Sequence, residues 1–149
     1  MECVISGAEK NGDIYYFVKW SPIAKAEKYD IIAKVPALAG IFEIYWMDES
    51  KRLRLFYLDK INYGGLRSEL RQVTDPELCG NNEKRKKILE EKEIYYRYSF
   101  TDSARIMDDV IWFFMQTYFP KDAPAVNHSG RYKNIFLKES APDKLYWVP

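Results

Sequence analysis

The chain has 149 residues, 47% of them hydrophobic and 30% charged, a length suited to one domain with a core of its own. Lys and Arg total 23 against 22 for Asp and Glu, so the net charge of +1 gives no whole-chain pull toward nucleic acid or a membrane surface. The aromatic share is high, with 12 Tyr, 8 Phe and 4 Trp, and these rings must be divided among core, interface and chemistry.

The longest uninterrupted apolar run is Val110 to Met115, far short of the roughly 20 residues that span a bilayer. The start, Met1-Glu2-Cys3-Val4, lacks the basic region and apolar core of a secretory signal. Cys3 and Cys79 stand far apart with no second Cys or His at ligand spacing, which argues against a disulfide or a zinc site. A soluble cytoplasmic protein with no membrane partner is expected.

Asn11-Gly12 separates two β-like stretches and favours a tight turn with both central residues left-handed, so residues 2–20 read as a hairpin. Residues 23–30 fit either a short helix or a loop. A second hairpin follows, from Ile41 to Trp46 and from Arg52 to Leu58, joined by the polar Met47–Lys51. Asn62-Tyr63-Gly64-Gly65 is a turn, and Leu66 to Gln72 a short helix with Leu66 and Leu70 on one side. A loop over residues 74–82 leads to a charged helix, Glu83 to Glu93, and then a strand, Ile94 to Ser99.

The clearest helix covers residues 102–118. Thr101 or Ser103 can cap it, and its apolar stripe runs through Ala104, Met107, Ile111, Phe114, Met115 and Tyr118. Pro120 stops it. The same periodicity sets Asp108 at the border of the stripe and points Asp109 away from it. A last strand is expected from Tyr132 to Lys138. The order is that of an α+β domain with a small, mainly antiparallel sheet flanked by helices.

Charge is local. Residues 51–72 carry six basic and two acidic side chains, hence +4, and residues 121–138 carry four and one, hence +3. If the two stretches share a surface, Lys60, Arg71, Arg131 and Lys133 are candidates for phosphate contact. The ordinary alternative is a solvated charged face.

Ala39-Gly40-Ile41-Phe42 and Tyr57-Leu58-Asp59 resemble the paired strand motifs of the GIY-YIG nuclease family. Arg67, eight residues after Asp59, matches the spacing of that family's helical arginine, and Arg71 falls where many members carry another basic residue. The strand, helix, Pro120, Asn127 and final strand continue the order. The resemblance covers residues 35–138, with 1–34 as an N-terminal hairpin extension and 139–149 as a tail of one domain.

It implies a GIY-YIG-like core and, in an active member, hydrolysis of a DNA phosphodiester with a divalent metal such as Mg²⁺. Arg67 would stabilise the phosphorane charge, Tyr57 would orient water or phosphate, and Asp108 would hold the metal. Three departures count against cleavage: Phe42 replaces the first motif's tyrosine, Asp59 replaces the second motif's glycine, and the helix offers aspartates but no glutamate. Each candidate also has an ordinary structural role: Arg67 as an exposed helix residue, Tyr57 as a strand tyrosine, and Asp108 paired with Arg105. His128 reads as an exposed loop residue and Asn127 as a loop tie. Two functions follow: a non-catalytic module binding nucleic acid or another protein, favoured by the departures, or a metal-dependent DNA endonuclease.

Overall fold

The computed structural model of the protein describes residues 3–143 and the backbone of Trp147 and Val148. It is an α+β fold built on two sheets. The chain opens with the expected hairpin, β1 (Ile5–Lys10) and β2 (Asp13–Lys19), turning at Asn11 and Gly12, both with positive φ. The ambiguous stretch resolves into a two-residue strand, β3 (Ala24–Lys25), and a helix, α1 (Lys28–Lys34). The Glu27 carboxylate accepts from the backbone N–H groups of Tyr29 and Asp30, which fixes the start of that helix.

The second hairpin is β4 (Gly40–Met47) and β5 (Leu53–Ile61). Helices α2 (Gly65–Thr74) and α3 (Glu83–Glu91), strand β6 (Ile94–Phe100) and helix α4 (Ala104–Tyr118) follow. Ser103 is the residue that caps α4, its hydroxyl accepting from the Ile106 N–H. After a 3-10 turn at Ala123–Ala125 come β7 (Ile135–Ser140) and a short β8 (Trp147–Val148).

The larger sheet has the order β3-β6-β4-β5-β8 and the smaller one β1-β2-β7. Strand β4 is the centre of the larger sheet, antiparallel to both β5 and β6. The final strand differs from expectation in extent and place. It begins at Ile135, and it pairs in parallel with β2 rather than joining the main sheet. The N-terminal hairpin therefore supplies two of the three strands of a second sheet.

Alternation along β4 sends its side chains to two cores. Phe42 and Ile44 pack with Ile31, Val35, Leu66, Leu70 and Val73 of the α1–α2 layer. Ile41 and Tyr45 pack with Met107, Val110, Ile111 and Phe114 of α4, and Ile14, Tyr16 and Val18 of β2 join the same cluster. Helix α4 is thus covered on two sides, by the main sheet and by the small one. Among the described residues no helix is long and apolar enough to cross a membrane.

The second cover overturns one expectation. Asp109 does not face solvent; it is fully buried. Its Oδ2 accepts from the Tyr16 hydroxyl at 2.5 Å and its Oδ1 from the Ser129 N–H at 2.7 Å. The helical periodicity was sound, but the side of α4 opposite the main sheet is covered by β2.

Candidate functional site

Register decides which candidates meet. Phe42 pairs with Asp59 and Ile44 with Tyr57, so Tyr57 and Asp59 share the α1–α2 face with Phe42. Ile41 pairs with Lys60, which sends Lys60 to the α4 face. There its ammonium forms an ion pair with Asp108, both side chains about one-third exposed. The structure therefore brings Asp108 to Lys60 rather than to Arg105. It sets Tyr57 and the helix of Arg67 on one face of the sheet and Asp108 on the other.

Tyr57 is half-buried. Its hydroxyl donates to Asp59 Oδ2 at 2.9 Å, and Asp59 Oδ1 accepts from the Lys60 N–H at 2.8 Å. The Arg85 guanidinium lies 4.0 Å from the Tyr57 ring centroid, a cation–π contact from α3. Burial, reinforced by the Asp59 charge, pushes the Tyr57 phenol well above its ordinary range. It stays a neutral donor to Asp59. Phe42 is 1% exposed, its ring 5.9 Å from that of Tyr57. A hydroxyl at position 42 would need a partner in that apolar layer.

Arg67 is exposed on the first turn of α2. Its Nε donates to the Val35 carbonyl at 2.7 Å, tying α2 to the end of α1. Glu69, which the sequence reading passed over, shares this side. Burial first and the Asp59 charge second raise its carboxyl above the usual range.

At the main sheet's edge, Trp147 and Val148 of β8 pair with Leu53 and Arg54 of β5. Beyond that pairing lies a cleft of about 430 Å³, with Asp59, Lys60, Asp108, Asn127 and His128 in its walls. His128 is exposed. Its Nδ1 accepts from the Gly130 N–H at 2.9 Å, and its ring stands edge-on to Trp112 at 5.1 Å. The donor set does not fit a divalent metal. Asp108 is committed to Lys60, and among the described residues no group of three or more His, Cys, Asp or Glu could hold one.

Arg71, Arg131 and Lys133 each have a local contact. Arg71 lies 4.0 Å from Asp75, the residue just past the end of α2. Arg131 pairs with Glu9 at 3.7 Å, and Lys133 donates its backbone N–H to Gly12 beside the first hairpin. Arg71 thus lies in α2, and Arg131 and Lys133 lie beside the first hairpin.

Sequence reasoning also missed a buried charge network. Glu43 Oε1 accepts from Arg97 Nε and from the Tyr45 hydroxyl, each at 2.6 Å. Glu139 Oε1 accepts from Trp20 Nε1 at 2.7 Å and lies 3.5 Å from an Arg97 amino nitrogen. The guanidinium also stacks on Trp20, 4.4 Å from the ring centroid. The available signal was a single carboxylate inside an apolar strand, Gly40–Met47, and a single arginine inside an aromatic one, Ile94–Phe100.

The chain belongs to a family described as an uncharacterised protein, whose model matches residues 4–149. No curated protein matches it. No solved structure matches it.

Proposed function

We propose that the protein is a non-catalytic, GIY-YIG-like domain that binds nucleic acid through its β5–α2 side. The Lys60–Asp108 ion pair carries this reading: an ammonium pairs with the carboxylate that cleavage would assign to a metal. The other candidates are also held. Tyr57 donates to Asp59, Arg67 is tied through Nε to Val35, and position 42 has no phenol. Binding makes weaker demands. Tyr63, in the turn before α2, is 91% exposed, and Arg67 on the next turn carries its charge at the surface. An exposed ring beside a guanidinium suits a phosphate backbone and a base or sugar. The reading also puts the protein in the cytoplasm, where Cys3 and Cys79, both free thiols, would stay reduced.

One observation favours a second reading, a metal-dependent endonuclease: Asp59, Asp108, Asn127 and His128 line one cleft. A single experiment separates the two. The protein is titrated into labelled duplex DNA at low and rising salt, and duplex is incubated with the protein and Mg²⁺ or Mn²⁺. The expected result is salt-sensitive binding, weakened by Arg67→Ala, without strand scission. Cleavage that disappears in Arg67→Ala establishes the endonuclease instead. A folded protein that ignores duplex at low salt removes the nucleic-acid partner and leaves a protein one.

A further inference from the structure

The small sheet has two faces of opposite character. The inner face packs Ile14, Tyr16 and Val18 against α4. The outer face is set by register. Tyr15 pairs with Phe136, and Phe17 with Lys138; on the other side Tyr15 meets Ala8 and Phe17 meets Ser6. Tyr15, Phe17 and Phe136 therefore point the same way, away from the core. Tyr15 is 46% exposed and Phe136 44%. Their rings stack at 4.9 Å between centroids, 17° from parallel.

From this arrangement we infer that the outer face of the β1-β2-β7 sheet is a stacking platform for single-stranded nucleic acid. Three lysines share that face by the same alternation: Lys10 at the hairpin end, Lys19 at the far end of β2, and Lys138 on β7 beside Phe17. All three are exposed. Lys19 Nζ lies 5.8 Å from the Phe17 ring centroid. Among the described residues of the three strands, the one carboxylate that alternation sets on this face, Asp13, accepts from the Asn134 side-chain amide at 2.9 Å. Ser6 and Ala8 add little bulk along β1, so a flat ligand can reach the rings.

Charge and shape select the occupant. Exposed rings on a sheet offer π-faces to successive bases, and surrounding lysines follow the phosphates. A second copy of this chain, laid face to face, would set its lysines against these lysines, and like-charge opposition disfavours that pairing. A duplex hides its bases from a flat surface, so its π-faces are unavailable to Tyr15 and Phe136. The surface is separate from the β5–α2 side and does not depend on that reading.

The test uses the full chain and a labelled oligothymidylate, with the matching oligouridylate and a duplex of equal length. Single strands should bind, and the folded protein's affinity should fall about 5- to 150-fold in Tyr15→Ala or Phe136→Ala, the range for loss of one base-stacking ring. Tyr15→Phe should keep it. Changing Lys10, Lys19 and Lys138 to Gln should flatten the dependence of log affinity on log salt by about 2, near 0.7 for each phosphate contact on a single strand. Arg67→Ala should weaken duplex binding more than single-strand binding, whereas Tyr15→Ala and Phe136→Ala should do the reverse, which separates this surface from the site proposed above. Circular dichroism and thermal melting verify that each variant folds. The inference is overturned if folded wild type does not bind single strands at low salt. It is equally overturned if the folded variant carrying both Tyr15→Ala and Phe136→Ala binds them as wild type does, or if heparin binds with the same sensitivity to Tyr15→Ala, since heparin has no bases to stack.

Discussion

Glu43 on β4 and Arg97 on β6 face each other directly across the main sheet, joined at 2.6 Å with both side chains almost wholly removed from solvent. Their mutual attraction offsets two desolvation penalties, and each is the other's chief compensation. Removing one partner strands the other. Arg97→Ala is expected to destabilise the protein by about 3–5 kcal/mol, a fall in thermal midpoint on the order of 10 °C for a chain of this size. The paired change Glu43→Leu with Arg97→Met should recover much of that loss, because apolar side chains of similar volume need no counter-charge. Thermal melting of the two variants decides it; a double variant no better than Arg97→Ala contradicts the account.

The same pair makes a pH prediction. Burial drives the Glu43 carboxyl above the ordinary carboxylate range, and Arg97 opposes this only in part. Between the unfolded and the folded value, the folded state therefore holds a proton that the unfolded chain has released. This contribution to stability is complete below the unfolded value, near 4.3, and is lost as pH rises through the folded one. Urea midpoints compared from mild acid to neutrality should show wild type declining relative to Glu43→Gln, whose amide does not titrate. Parallel profiles would exclude the shift.

Tyr16 and Asp109 bind α4 to the small sheet. With Tyr16→Phe, Asp109 keeps the Ser129 N–H but loses its hydroxyl donor, at an expected cost of about 1–3 kcal/mol. Asp109→Ala also deprives Ser129 and should cost more. Because the residues share one bond, the double variant should be clearly less destabilised than the sum of the singles, and a double-mutant cycle by urea unfolding measures this directly.

Gly64 and Gly65 both have positive φ but different surroundings. A Cβ on Gly64 would meet nothing within 4 Å, while one on Gly65 would lie 2.6 Å from the Ala37 carbonyl carbon. Gly64→Ala should therefore show only the left-handed backbone cost of roughly 1–2 kcal/mol. Gly65→Ala should lose distinctly more, since backbone cannot yield as a flexible side chain would. Equal melting temperatures for the two variants would count against the close approach.

Much of the fold was legible because its signals are local. Asn11-Gly12 dictated the first hairpin, the polar Met47–Lys51 marked the second, and Ser103 and Pro120 framed α4. The last strand was legible, but its partner was not, because strand pairing is not encoded in the strand alone: Ile135–Ser140 reads the same whichever strand it joins. Asp109 was misread for the same reason, since its burial depends on the small sheet lying over α4. At the candidate site, Arg67, Tyr57 and Asp108 were chosen one motif at a time. Strand parity then divides them, because Asp59 and Lys60, adjacent in sequence, must point to opposite faces. The Lys60–Asp108 pair could not be read from sequence distance. Glu43 and Arg97 were visible as lone charges in apolar strands, but only register makes them partners.

The parallel pairing of Ile14 with Ile135 also constrains the order of events during synthesis. Hairpin β1–β2 and helix α4 both emerge from the ribosome before β7 exists. Until β7 arrives, β2 keeps an open edge. Closing so long a loop carries an entropic cost that is met before its contacts form. The small sheet is therefore completed late, and the interval beforehand is when the nascent chain most needs shielding from a second strand in trans.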